Sequence, residues 1–491
     1  MASATFHDEK VLPCYTPEMT IYPITSQSTS RYYKSSSVKP RHLTLAAGPT
    51  LYSDEPGPQY LPPHWTAHTH PEGQLYFYRA SSPRIVTEAY LYRPEIMDRV
   101  STCTLRIEKM LLERQKTMSD NMEIFLELDV DASSCGYYMI DHNARTEFWL
   151  DSLTTEELYL PPAVSKSHLQ LKLEELYWTH LETFPMHYDG LRSRDLDTLI
   201  SIYSHALADR MTSELSTFTH SAEKCRQILD LLRSSRPSKG DHLDGYTTCY
   251  VARFWSTISE HKFIIHSGQE STRLNRNQAI LEAPTAERPW LSRLSRRLTF
   301  GLSAGYLTGL NNSFTDDLVY DEHWHKFLGN CRKDWASAVS WGFYTLMLTV
   351  IVAFTPGASL SLTGFALLFN GGSVLSALLL LFQHEKYTVP YCTSEVATYL
   401  TAWRSPSSGL LSLAVIFSTP RTLLLWGYLS FMVQALFVPF KALDLYLAIA
   451  CISFPLLIFA GAWWWASRTR DITSAEGQDV LPQHMPPPKT G

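Results

Sequence analysis

The last third of the chain constrains everything before it. Between about Ala336 and Ser467 lie four apolar runs, with turn signals and most nearby charges confined to the gaps. The first, Ala338 to Phe354, carries no charge and stops at Thr355-Pro356-Gly357. The second, Ser359 to Phe382, is also uncharged and stops at Gln383-His384-Glu385-Lys386. The third is broken: Leu410 to Ser418 is apolar, Pro420-Arg421 interrupts, and Thr422 to Phe440 is apolar again. The fourth, Leu445 to Ala466, ends in Trp463-Trp464-Trp465. A membrane span needs about 20 apolar residues. Runs one, two and four meet that length, and run three meets it if its helix starts near Pro420, where proline suits a first turn. Buried helices of a soluble domain are the alternative, but uncharged runs of near-spanning length at short intervals favour a bilayer.

Basic residues orient the block. Arg288, Arg293, Arg296, Arg297, Arg332 and Lys333 precede run one, and the gap after it carries no charge. Lys386, Arg404 and Arg421 fill the second gap, Lys441 is opposed by Asp444 in the third, and Arg468 and Arg470 follow run four. An even number of spans then puts both termini in the cytosol, with the triple tryptophan in the interfacial aromatic belt. Strongly polar residues in the runs are few: Asn370, Gln434 and, at an edge, Asp444. Intramembrane ionisable groups mark ion pathways, so their scarcity argues against an ion-coupled transporter.

Composition narrows the remainder. A net charge of −6 over 491 residues leaves no global nucleic-acid footprint. Eight cysteines are scattered without a CxxC pair, giving neither a disulfide framework nor a zinc pattern. The first thirty residues lack the apolar core of a signal peptide. A cytosolic N-terminal region with reduced thiols is expected.

In order, residues 1–58 are rich in Ser, Thr, Tyr and Pro and read as a disordered tail, with Ser35-Ser36-Ser37 a candidate phosphate acceptor. Residues 59–94 hold a strand, a turn at His70-Pro71-Glu72-Gly73, and the aromatic strand Tyr76-Phe77-Tyr78. Residues 95–120 read as a helix, with Ile96, Val100, Cys103, Ile107, Met110 and Leu111 as its apolar members. Residues 124–153 repeat the strand grammar: Leu126 to Val130, a turn at Ser133-Ser134-Cys135-Gly136, then Tyr137 to Trp149.

The first stretch, Leu61-Pro62-Pro63-His64-Trp65 with its glycine turn and aromatic strand, resembles the first half of a WW domain. The resemblance implies that Trp65 packs against Pro62 on the back of the sheet. The family's second tryptophan, which builds the ligand groove, is replaced by Thr87. The second stretch is similar to the family's second half in Asp141-His142-Asn143-Ala144-Arg145-Thr146-Glu147-Phe148-Trp149, while its first tryptophan is missing. There the resemblance implies a proline sandwich between Tyr138 and Trp149, with Ile140, His142 and Arg145 lining the neighbouring pocket. Glu147 stands where the family usually carries a hydroxyl residue. Such a groove suits proline-rich peptides, which already populate the polyproline II helix and lose little entropy on binding. Cross-strand packing of Tyr138 and Trp149 alone is the plainer reading.

Residues 154–285 turn helical, with stripes through Leu169, Leu173 and Leu176 and through Leu196, Leu199, Ile200 and Tyr203, and a break at Ser234 to Gly240. Residues 286–335 form a basic juxtamembrane segment: Leu291, Leu294, Leu298 and Leu302 share one helical face and Arg293, Arg296 and Arg297 the opposite one. That pattern suits the headgroup layer and anionic lipids. His323 and His325 lack a matching third ligand, so no metal or other cofactor is expected. Residues 336–467 are the four spans, and 468–491 a disordered proline-rich tail.

The expected architecture is therefore multidomain: small antiparallel β WW-like modules and a helical region, followed by an α-helical four-span membrane domain. No catalytic constellation stands out, so the chain reads as a non-enzyme. Two functions fit: a membrane-anchored cytosolic adaptor for proline-rich partners, or a structural, membrane-organising protein whose WW-like modules no longer bind ligand.

Overall fold

The computed structural model describes residues 19–33, 37–42, 61–129, 134–237, 240–281, 289–388, 393–405 and 407–442, with isolated positions beyond. They fall into two compact units, residues 1–280 and 281–491.

The first unit is built on one seven-stranded sheet. Its strands are β1 (Thr20–Pro23), β2 (Trp65–Thr69), β3 (Leu75–Arg79), β4 (Arg84–Thr87), β5 (Met122–Leu128), β6 (Ser134–Asp141) and β7 (Thr146–Phe148). Each of the two WW-resembling stretches forms an antiparallel three-stranded meander, β2-β3-β4 and β5-β6-β7. They are not separate: β4 and β5 pair in parallel, Ile85 opposite Ile124, across the helical connection α1 (Pro94–Glu113). Strand β1 pairs in parallel with the first half of β6 and extends the sheet into the region expected to be a disordered tail. Polar composition hid that strand, because its order comes from a long-range pairing rather than from its own apolar content. The serine cluster falls mostly outside the described residues.

Alternation decides the two faces. Trp65, Phe77, Ile85, Ile124, Leu126, Tyr137 and Met139 point to one side, where α1 covers them with Val100, Cys103, Ile107 and Leu111. Those α1 positions recur at helical spacing, and Pro94 in the first turn fixes where the helix begins. Tyr76, Tyr78, Val86, Phe125, Tyr138 and Ile140 point to the other side, into a helical layer. That layer contains α2 (Lys166–Thr183), α3 (Ser193–Thr212), α4 (Ala222–Ser234) and α5 (Gly245–Ile264). Ser165 caps α2 by accepting from the His168 amide, and Asp244 caps α5 by accepting from the Tyr246 and Thr247 amides. Trp178 of α2 stacks on Trp255 of α5 at 5.2 Å.

Two turns differ in kind. Gly73 sits at φ +97° where the β2–β3 turn needs a left-handed residue, as expected. Gly136, expected in a turn, lies inside β6. A β-carbon there would come within 2.9 Å of the Ile24 side chain, so the glycine serves close approach rather than a reversal.

The second unit opens with α6 (Pro289–Leu298), α7 (Leu302–Ser313) and a two-stranded hairpin of β8 (Phe314–Thr315) and β9 (Leu318–Val319). It continues with α8 (Asp321–Ala353), α9 (Leu360–Gln383), α10 (Thr393–Trp403) and α11 (Leu411–Ala442). Three helices, within α8, α9 and α11, are long and apolar enough to cross a membrane. Of the four expected runs, the fourth lies mostly outside the described residues. Pro420 stands inside α11 rather than in its first turn, because the apolar stretch before it is helical too. The Ser373 hydroxyl donates to the Pro420 carbonyl at 2.7 Å.

At 33 and 32 residues, α8 and α11 are each about 50 Å long, against a hydrocarbon layer of about 30 Å. Burial divides both accordingly. Trp324, Leu328, Cys331 and Trp335 of α8 pack with Leu413, Ala414 and Phe417 of α11 in one core. Beyond that core, Trp341, Phe343 and Ile351 of α8, Phe354 at its C-cap, and Leu425, Leu429, Met432 and Phe440 of α11 are exposed. The boundary carries the Asp334–Arg421 ion pair at 2.9 Å and the Trp335 indole, which donates to the Phe417 carbonyl at 3.0 Å.

Candidate functional site

The five expected groove residues lie on or beside the face of β6 and β7 that meets the helical layer. Tyr138 is fully buried. Its ring stacks on Phe125, its cross-strand partner, at 4.8 Å. Ile140 is fully buried beside it. His142 follows β6 and stacks on Tyr188 at 4.5 Å. Arg145, at φ +51° in the β6–β7 turn, pairs with Asp195 of α3 and lies 5.2 Å over the Trp178 ring. Trp149 is half-buried, and its indole N–H donates to the Ile24 carbonyl at 2.7 Å. Tyr138 and Trp149 are thus committed to different partners within the chain.

A polar cluster lies on this face. Glu123 of β5 is completely buried and is met by three imidazoles. The Nε2 atoms of His180 and His142 stand 2.6 and 3.2 Å from its Oε1, and the Nε2 of His187 stands 3.3 Å from its Oε2. Ionised carboxylate oxygens only accept, so His180 donates through Nε2, and its Nδ1 accepts from the Tyr138 hydroxyl at 2.9 Å. The Tyr76 hydroxyl stands in the same relation to Nδ1 of His187, at 3.2 Å, while accepting from the Met186 amide at 2.8 Å. Burial pushes the Glu123 carboxyl up, but the surrounding imidazoles outweigh it and hold the group well below the usual carboxylate range. Burial lowers His180, against the pull of Glu123, so this ring is neutral near neutral pH. Burial likewise drives the Tyr138 hydroxyl well above its ordinary value, which fixes it as a hydrogen-bond donor and not a phenolate.

The second holding point is Glu147, also fully buried. Its carboxylate faces the Ser26 amide at 3.2 Å, and burial raises it to about 8, so at neutral pH it carries a proton. Glu147 and Trp149 therefore clasp the segment Ile24 to Ser26, which directly follows Pro23. Farther along, the Ser30 amide donates to Glu127 at 3.0 Å, and Arg31 pairs with Glu88 at 3.3 Å, both side chains buried.

The other expected positions are placed as follows. Trp65 is buried on the α1 side of the sheet, and its amide donates to the Pro62 carbonyl at 3.2 Å. Thr87, standing where the family has its groove tryptophan, donates through its hydroxyl to the Leu126 carbonyl at 2.8 Å and helps join the two meanders. Arg293, Arg296 and Arg297 are exposed along α6. Glu123, His180 and His187 escaped the sequence reading, which placed Tyr76 only in an aromatic strand. An acidic residue in an otherwise apolar strand was their one local signal, because the two histidines lie 57 and 64 positions away from Glu123. The imidazoles address the carboxylate itself, and among the described residues no group of three or more His, Cys, Asp or Glu side chains is arranged to hold a metal ion.

Compared with protein-family models, curated proteins and solved structures, the chain matches none.

Proposed function

We propose that this is a non-enzymatic, structural membrane protein in which the two WW-like meanders act as scaffold rather than as peptide receptor. The observation that carries this reading is the closure of the groove face. Tyr138 and Ile140 have no exposed surface, the Trp149 indole donates to the Ile24 carbonyl, and the Arg145 guanidinium pairs with Asp195. Opening that face would strand Glu123 and its imidazoles without their partners, and breaking a buried ionic network from one side costs about 3–5 kcal/mol. A polyproline peptide loses little chain entropy on binding, but it would still have to offset that cost. The work of the molecule then rests with its membrane helices and with the bilayer region they organise. On this reading the N-terminal unit lies on the cytosolic side, and the basic residues flanking the apolar runs support that side.

The adaptor reading keeps one foothold. The Trp149 indole is held by the carbonyl of Ile24, the residue after Pro23, so a proline-rich peptide that used this indole would have to displace that contact. Titration of the full chain in detergent with proline-rich peptides, its own Leu481 to Lys489 tail among them, separates the two. The scaffold reading predicts no saturable binding to the folded protein. Saturable binding that disappears in Trp149→Ala would reinstate the adaptor.

A further inference from the structure

We infer that α6 is an anionic-lipid sensor lying in the headgroup layer, a role that deepens the membrane reading above and rests on it. Between Pro289 and Leu298 the helix contains no acidic residue and exposes Arg293, Arg296 and Arg297. It also exposes Trp290, Leu294 and Leu298, at 57%, 46% and 54% of their surface. Successive residues of a helix turn by about 100°, which puts these three apolar side chains on one flank and the three arginines on an adjoining one. Thr299 and the half-buried Leu291 and Ser295 lie on the remaining flank. An isolated helix of ten residues has little stability in water. Leaving most of its large apolar side chains uncovered adds to that deficit, so a third phase must cover them.

Its position says which phase. The Trp426 indole donates to the Leu298 carbonyl at 3.1 Å, and Phe300 stands 5.0 Å from the Trp426 ring. Trp426 sits just past Arg421 on α11, where exposed apolar side chains begin with Leu425. The end of α6 is therefore pinned at the level where α11 leaves its polar boundary for the apolar belt. Gly301, at φ +81°, stops α6 there and turns the chain into α7. With the end fixed at that depth, Trp290, Leu294 and Leu298 reach the acyl boundary while the arginines stay among the headgroups. Three cations with no acid between them favour anionic phospholipid over zwitterionic.

The test uses the full chain in nanodiscs of phosphatidylcholine, with or without phosphatidylserine, and reads amide exchange of residues 290–300 by mass spectrometry. Phosphatidylserine is expected to slow exchange there roughly ten- to hundredfold, with no change in α9. The variant Arg293→Gln/Arg296→Gln/Arg297→Gln should enter discs as well as the parent but lose that difference. Equal protection in both lipids, or a difference that survives in the triple variant, would overturn the proposal even where disc incorporation upholds the membrane reading. Protection conferred by a soluble acidic peptide and not by phosphatidylserine would overturn it in favour of a protein partner. Failure of the parent chain to enter discs would instead sink the membrane reading itself, and this inference with it.

Discussion

At the residue scale the chain spends unusual chemistry on holding itself together. Glu147 is the clearest case, since a carboxyl raised to about 8 holds its proton in the folded unit at pH values where the unfolded chain has lost it. The folded state binds more protons between about 4.5 and about 8, so this contribution is complete in acid and fades as pH rises through the folded value. Replacing the ionisable group by its neutral isostere should remove that slope. Glu147→Gln is therefore expected to be more stable than the parent near pH 8, by a few kcal/mol at about 1.4 per pKa unit, with the gap closing towards about pH 5. Urea unfolding of the Met1–Ile280 fragment at both pH values checks this. A variant that differs from the parent equally at both would mean that the Glu147 carboxyl is not raised in the folded unit. His180 slopes the other way. Lowered by burial, it contributes stability above its unfolded value of 6.5, and that contribution is lost as pH falls.

Elements show which patterns sequence carries and which it does not. The α1 face was legible because Val100, Cys103, Ile107 and Leu111 repeat at helical spacing. So was the β2–β3 turn, because Gly73 declares its positive φ. The α2 helix was less legible: it is buried on nearly all sides, between the sheet and α5, so Tyr177, Trp178, His180 and Leu181 leave no polar stripe to read. Strand β1 and the Gly136 contact were not legible, since both follow from a pairing between positions more than a hundred residues apart. In the membrane unit, polar side chains staple α9 to α11. Gln434 donates to the Thr363 hydroxyl at 3.1 Å, and Asn370 rests against Gly427 so closely that any β-carbon there would collide with its amide. Small residues let membrane helices approach in this way. Gly427→Leu is expected to force α9 and α11 apart and cost about 1–3 kcal/mol, lowering the apparent melting temperature in detergent. Gly364→Leu in α9, an exposed position where a β-carbon meets nothing within 4 Å among the described residues, serves as the control. Equal loss in the two variants would contradict the packing described.

For the whole molecule, the two units answer to different parts of the sequence. The membrane unit was written locally, in uncharged runs bounded by turns, and three of those runs appear as helices long enough to span. What the runs concealed was the continuation of α8 and α11 beyond the apolar belt into a core with Trp324, Trp335 and Phe417. The residues expected to line a groove, Tyr138, Ile140, His142, Arg145 and Trp149, lie on or beside one face of the sheet, but the partners that surround them there were not legible. The fusion of the meanders through β4 and β5, and the helical layer over them, depend on partners that no local motif announces. The central claim is that the chain closes its own groove, and the exchange rate of the Trp149 indole proton reports on it most directly. In a nitrogen-15-labelled Met1–Ile280 fragment, with the resonance assigned through Trp149→Phe, the account predicts exchange slowed at least a hundredfold relative to a free indole. Exchange at the free-indole rate would contradict it, because the Ile24 carbonyl would then leave the groove open to a partner.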